Sequence, residues 1–203
     1  MAILRTEGGR TLSRHDEINE ILRPTEIGTF QLSAAVARLL ASLELPLAPA
    51  DADRILETFD PQLDKALRAQ GFVHRRVGCL ARGDHADPRN KEIVSFYTRP
   101  GQSGVMPAEG LKQYATPHRL EADERHHVHA GVIVKGLALP GGEQAVIYVC
   151  AGEWVRVHKT NLSWPIFPYD GPNLAVSYFD RPAPVKNDYR MDLDRDLAVR
   201  IAE

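Results

Sequence analysis

The stretch His118-Arg-Leu-Glu-Ala-Asp-Glu124-Arg-His126-His127-Val-His129-Ala-Gly131 holds four of the chain's eight histidines and three carboxylates. Neutral imidazole and carboxylate form the ligand set used for Fe(II), Ni(II), Mn(II) and Zn(II), so a metal site is the first expectation. The second half of the stretch is strand-like, and on a strand alternate residues share a face. Glu124 and His126 therefore point one way, and Arg125, His127 and His129 the other. The second row offers a His-x-His pair, but no carboxylate follows it four or five residues on. Either row could equally be a plain solvent-facing strand.

Downstream of this stretch, short apolar runs recur between turn signals. Val132-Ile-Val-Lys-Gly-Leu-Ala-Leu, Ala145-Val-Ile-Tyr-Val-Cys, Trp154-Val-Arg-Val-His and Leu174-Ala-Val-Ser-Tyr-Phe alternate with Pro-Gly-Gly, Ala-Gly-Glu and Tyr-Asp-Gly-Pro. Strands at this spacing predict a small barrel or jelly roll. Upstream the reading is mainly helical. Ser13 with Asp16 three residues on resembles a capping box for a short helix through Ile18, Ile21 and Leu22 that stops at Pro24. A strand is expected from Ile27 to Leu32, followed by a helix capped by Ser33. Another helix starts at Pro61 behind Asp60 and ends at Gly71. Phe72 to Ala81 is strand-like. Residues 83–107 suggest an elaborated loop with a short helix around Glu92 to Tyr97, and the Asp192 to Arg200 tail suggests a solvated helix. The expected organisation is a single domain over 1–203, with 1–71 helical and 72–191 a barrel carrying a loop insertion around 85–106.

The bulk figures exclude several classes. With 203 residues, 43% hydrophobic and 26% charged, the chain can bury one sizeable core. Its net charge of −2 and the lack of a basic, aromatic-interleaved segment argue against nucleic acid as a partner. No apolar run reaches membrane-spanning length and the first residues lack a signal-peptide core, so a cytoplasmic location is expected. Cys79 and Cys150 each lie in an apolar run and suit buried, reduced thiols. No serine sits in a nucleophile-elbow motif, and no glycine-rich phosphate loop is present.

Two regions resemble the acireductone dioxygenases, metal-dependent cupins. One is the N-terminal Arg10-Thr-Leu-Ser and Glu17-Ile-Asn-Glu-Ile-Leu, continued by Ile55-Leu-Glu-Thr-Phe-Asp-Pro-Gln-Leu-Asp-Lys-Ala-Leu-Arg-Ala-Gln-Gly-Phe-Val. The other is the histidine-rich stretch. The family carries His-x-His-x-x-x-Glu-x-Arg there, with a further metal-binding His on a later strand. The resemblance covers most of the chain apart from apparent insertions at roughly 33–47 and 85–106. It implies a mainly β fold with N-terminal helices, a cupin-type double-stranded β-helix barrel. Carried over without a gap, the first His falls on His118 and the Glu on Glu124. The second His falls on Leu120 and the catalytic Arg on His126, while the later ligand falls near Pro165 to Gly171, where no His occurs.

A rebuilt site is then His118, Glu124 and His126. Two imidazoles and one carboxylate have the composition of a facial triad for non-haem iron, with open positions for O₂ and substrate. A metal held by a different set, including His127, His129 or His158, and no metal at all are the alternatives. Fe(II) or Ni(II) is the expected ion if one is bound. Glu124 and His126 are also the expected catalytic pair. Trp164, Phe167 and Tyr178 are expected to wall a substrate pocket, with Trp154 and Tyr169 as further aromatics and Arg156 as carboxylate clamp. His15, His74 and His85 are expected at the surface. The leading functional expectation is an enzyme that oxidises a small polar metabolite with O₂ at a non-haem metal. The alternatives are a metal-free cupin doing acid/base chemistry (isomerase, lyase or cyclase) and a non-enzymatic protein that binds a small ligand. A homodimer is compatible with any of them.

Overall fold

The structure is a computed structural model and describes residues 1–32, 34–42, 54, 61–82, 93–99, 102–106, 116–166, 173–182, 186–190, 192–193 and 200. Two antiparallel sheets face one another. The first has the order β12 (Ser163–Pro165), β9 (Val132–Ala138), β10 (Gln144–Cys150), β1 (Ile3–Thr6), β2 (Thr11–Leu12). The second runs β3 (Glu26–Thr29), β11 (Glu153–Val157), β8 (Glu124–Ala130), β13 (Asn173–Phe179), β4 (His74–Arg82), β5 (Ile93–Arg99), β6 (Gln102–Met106). A separate ribbon pairs β14 (Lys186–Asn187) with β7 (Arg119–Leu120). Strand numbers follow the chain.

Period-two alternation decides what lies between the sheets. Val128 from β8, Ile133 and Leu137 from β9, Ile147 and Val149 from β10, Val155 and Val157 from β11 and Ala175 from β13 form one buried cluster. The opposite face of the first sheet is also covered: Val134, Val146, Trp164 and Ile166 make a second, outer cluster. In the β9–β10 hairpin, Gly141 and Gly142 take φ values of 98° and 91°, which L side chains rarely adopt. Two further glycines have a different reason. An added Cβ on Gly136 would lie 2.1 Å from the Trp164 ring, and one on Gly28 would lie 2.5 Å from Trp154. Each tryptophan is the register partner of its glycine, Trp164 with Gly136 and Trp154 with Gly28, so the indole lies flat across the neighbouring strand.

The N-terminal region, expected to be mainly helical with one strand from Ile27, holds more strand than that. β1 pairs with β10 and β3 with β11, so residues 1–29 supply strands to both sheets. Helix α1 (His15–Leu22) adds Ile18 and Leu22 to the inner core. Its Asn19 side chain clamps β3, accepting from the Ile27 N–H at 2.7 Å and donating to the Ile27 carbonyl at 3.0 Å. Arg14, not Ser13, is the N-cap, and no side chain caps the helix; Asp16 and Glu17 in the first turn complement the helix dipole instead. Helix α2 spans Ala34–Ala41, while its expected cap, Ser33, lies outside the described residues, as do Asp51, Asp60 and His85. Helix α3 is Pro61–Ala69, followed by Gly71 at φ 90°. The short helix expected at Glu92 to Tyr97 is instead the strand β5, hairpinned to β6, with Glu92 itself outside the description. Ile93-Val-Ser-Phe-Tyr-Thr is a β-branched and aromatic run, and it finds a partner in β4. Most of the tail expected to be helical also falls outside the described residues, although Arg200 is helical. No helix among the described residues is long and apolar enough to cross a membrane.

Candidate functional site

Strand β8 places Glu124, His126 and Val128 on the inward face and Arg125, His127 and His129 on the outward one. Across β13 the register sets Ser177 opposite His126, Phe179 opposite Glu124 and Ala175 opposite Val128. Across β11, Val155 faces His126 and Val157 faces Glu124. The inward row of β9, from the opposing sheet, reads Ile133, Lys135, Leu137. One polar cluster results from β8, β9 and β13. His126 Nε2 lies 2.8 Å from Glu124 Oε2, Lys135 Nζ lies 3.3 Å from that same oxygen, and Ser177 Oγ lies 2.7 Å from His126 Nδ1. The deep core at Val128 and Val155 is 0% exposed, whereas Glu124, His126, Lys135 and Ser177 each keep 8%.

The direction of the protons in this chain follows from charge. Burial alone would raise the Glu124 carboxyl, but the nearby His126 and Lys135 and their hydrogen bonds hold it well below the usual carboxylate range. Burial lowers His126, against the pull of the Glu124 carboxylate. A neutral imidazole has one N–H and one lone pair. The carboxylate can only accept, so its 2.8 Å approach favours the hydrogen on Nε2, and in the neutral ring Nδ1 is then the acceptor for the Ser177 hydroxyl. Burial also depresses His118, to about 4. It lies close enough to feel both Lys135 and Glu124, and its Nδ1 donates to the Thr116 carbonyl at 2.7 Å.

Among the described residues no three His, Cys, Asp or Glu side chains converge closely enough to hold a metal ion. Glu124 and His126 are brought together and His118 is not close enough to complete a ligand set with them. The ammonium of Lys135 already stands on the carboxylate where a cation would bind. The donor set does not fit a divalent ion without Lys135 moving away.

The outward face of β8 is a packed aromatic layer. His127 is 0% exposed, with its ring centroid 4.7 Å from Phe30, 5.5 Å from Tyr178 and 6.4 Å from Trp154. Among the described residues neither His127 nitrogen has a hydrogen-bond partner. His129 packs on Phe30 at 5.2 Å. Burial lowers His127 to about 2 and His129 to about 4. Arg125 lies over the Trp154 ring at 3.6 Å and donates to Gln70.

The residues expected to wall a substrate pocket do not line the interior. Trp164 belongs to the outer cluster of the first sheet and Tyr178 to the layer around His127. Arg156 is not a free clamp: its guanidinium donates twice to Asp123 Oδ2, at 3.2 and 2.5 Å, and lies 3.8 Å from Glu26. Alternation is the cause, since Trp154 and Arg156 share the outward row of β11 while Val155 and Val157 point in. Phe167 and Tyr169 lie outside the described residues. His15, expected at the surface without a partner, pairs with Glu153 at 2.9 Å. His158 bonds Thr160 at 2.7 Å and lies 3.8 Å from Asp123. Cys150 is a free, half-buried thiol at the end of β10, not a core residue. Lys135 and Ser177 were missed by sequence reasoning altogether. The one signal for Lys135 was a lone charge at an inward position of an apolar strand.

At the same end of the barrel an open groove of about 770 Å³ includes Arg119, Lys159, Thr160, Arg181 and Asn187 in its lining. Glu121 precedes β8, Lys159 follows β11 and Arg181 follows β13, so the groove lies at the strand ends that meet Glu124.

No family model matches the chain and no curated protein matches it by sequence. Among solved structures it is similar to an acireductone dioxygenase from Bacillus anthracis with a cadmium ion in its active centre. The TM-score is 0.67 and the identity 14%, covering 93% of this chain and 98% of that one. The fold is therefore a mainly β, cupin-type barrel like that of this enzyme.

Proposed function

We propose that this chain is a cupin enzyme whose interior does metal-independent acid/base chemistry on a small polar metabolite. The carrying observation is that Glu124 Oε2 receives both His126 Nε2, at 2.8 Å, and the Lys135 ammonium, at 3.3 Å, inside the barrel. Lys135 supplies the positive charge that balances the buried carboxylate. Glu124 fixes the His126 tautomer, and His126 Nδ1 is the base of a relay that ends at the Ser177 hydroxyl. The groove, lined by Arg119, Lys159 and Arg181 together with Glu121 and Asp188, suits a strongly polar molecule at this end.

A second reading, oxidation of a small polar metabolite by O₂ at Fe(II) or Ni(II), is supported by the likeness to a metal-containing dioxygenase and by the shared inward face of Glu124 and His126. There His118, Glu124 and His126 would hold the ion, which would supply the sites for O₂ and substrate, and Lys135 would have to leave Glu124. One pair of measurements decides. Protein purified without a histidine tag is assayed for bound metal and for deuterium uptake into a panel of small hydroxyketones and keto acids in D₂O. Metal well below one ion per chain, with exchange lost in His126→Gln, is the expected result. Stoichiometric metal with substrate-dependent O₂ consumption would overturn the proposal in favour of the second reading.

A further inference from the structure

The Ser177 hydroxyl is part of a chain that the acid/base reading uses only as a relay. Its Oγ is 2.7 Å from His126 Nδ1, whose opposite nitrogen is 2.8 Å from Glu124. Carboxylate, imidazole and hydroxyl thus stand in series, each within hydrogen-bond reach of the next, as an activated nucleophile requires. The members come from adjacent strands in register, β8 and β13, so their spacing is set by sheet geometry and not by a flexible loop. All three are buried, each at 8% exposure, and the groove lined by Glu121, Lys159 and Arg181 lies at the ends of the strands that carry them.

From this geometry we infer that Ser177 is a nucleophile that takes an acyl group from a small ester or lactone. Ser177 Oγ bonds to the carbonyl carbon while its proton passes to His126 Nδ1. The carbon–oxygen bond to the leaving alcohol breaks, and that alcohol takes the proton from His126. Water then repeats the sequence: His126 Nδ1 accepts its proton, the hydroxyl attacks the ester carbonyl, and Ser177 leaves as it regains the proton. Free acid and alcohol are the products, one water is consumed per turnover, and no oxidant is needed. Glu124 does not touch the substrate and is a positioning residue that keeps the hydrogen on Nε2.

This inference rests on the acid/base reading of the interior, and covalent trapping tests it separately. Intact protein is incubated with diisopropyl fluorophosphate and with p-nitrophenyl acetate, and the modified residue is located by peptide mass spectrometry. One phosphoryl group per chain on Ser177 is expected, absent in Ser177→Ala, with labelling slowed about 100-fold or more in His126→Gln. Glu124→Gln should slow labelling too and shift its pH profile, which a merely structural role would not do. Thermal melts of each variant ensure that a loss is read only from folded protein, and mapping on the unmodified chain needs no variant. Absence of label on Ser177 in the folded wild-type protein, or label at another serine that survives Ser177→Ala, overturns the inference. If deuterium exchange persists while Ser177 stays unlabelled, only the nucleophile assignment falls. If stoichiometric metal is found, the underlying reading falls as well.

Discussion

The two faces of β8 use the same residue type for opposite ends. His126 points inward, with Nε2 2.8 Å from a carboxylate oxygen and Nδ1 2.7 Å from a hydroxyl. His127, its neighbour in sequence, points outward, is more deeply buried and has neither nitrogen bonded among the described residues. Inward, the imidazole is a polar group in a polar chain; outward, it is a flat ring among Phe30, Tyr178 and Trp154. Histidine density in a sequence therefore marks chemistry only after the strand faces are separated.

Breaking the inward side should be the most damaging change. Glu124→Ala leaves the Lys135 ammonium buried without its partner, and the expected loss is about 3–5 kcal/mol by urea denaturation. The double change Glu124→Ala with Lys135→Met should restore much of it. If the double variant is no more stable than Glu124→Ala, Lys135 is not held by that carboxylate.

A matched pair of substitutions sharpens the contrast. His126→Phe deprives Glu124 and Ser177 of their shared partner and should cost roughly 1–3 kcal/mol. His127→Phe keeps the ring, removes two unsatisfied nitrogens, and should be neutral to stabilising at pH 7, within about 1 kcal/mol. Equal losses in the two variants would erase the distinction between the faces.

Acid should act mainly through the buried rings. His118 and His129 are lowered to about 4 and His127 to about 2, from an ordinary 6.5. Below pH 6.5 the unfolded chain takes up protons that the folded one refuses, so stability is full above that point and declines as pH falls. The decline runs to about pH 4 for His118 and His129 and continues towards 2 for His127. Denaturation midpoints between pH 7 and 4 should fall less steeply in His127→Phe than in the unaltered chain; parallel curves would mean that His127 is protonated in the folded state.

The smallest effect belongs to the outward rim. Arg125 over Trp154 should show a coupling of about 0.5–1 kcal/mol in a double-mutant cycle with Arg125→Met and Trp154→Leu, and no coupling would reduce the stack to simple contact.

The fold was largely legible because alternation in β8, β9, β10, β11 and β13 is a local signal, as are Pro61 and Gly71 at the ends of α3. Glu124 and His126 on one face followed from the same periodicity. Their partners did not, because Lys135 is 11 residues from Glu124 and Ser177 is 51 from His126, and only sheet register joins them. The aromatic pocket failed for the converse reason: Trp164, Tyr178 and Arg156 are conspicuous residues on outward rows, where they cover the sheets. The 92–97 segment was misjudged because Gly and Pro around it suggested a loop, whereas its β-branched run pairs with β4.

The two glycines beneath tryptophans bear on how this chain can change over time. At Gly136 and Gly28 even one methyl group would collide with an indole. Neither glycine can therefore drift to alanine while its tryptophan remains, and a Trp lost first would leave a shallow trough over bare backbone. Related sequences should accordingly show the two positions of each pair altering in concert, small with flat or bulkier with slimmer. The order of events in a lineage should be constrained as well, with the ring shrinking before the backbone position fills.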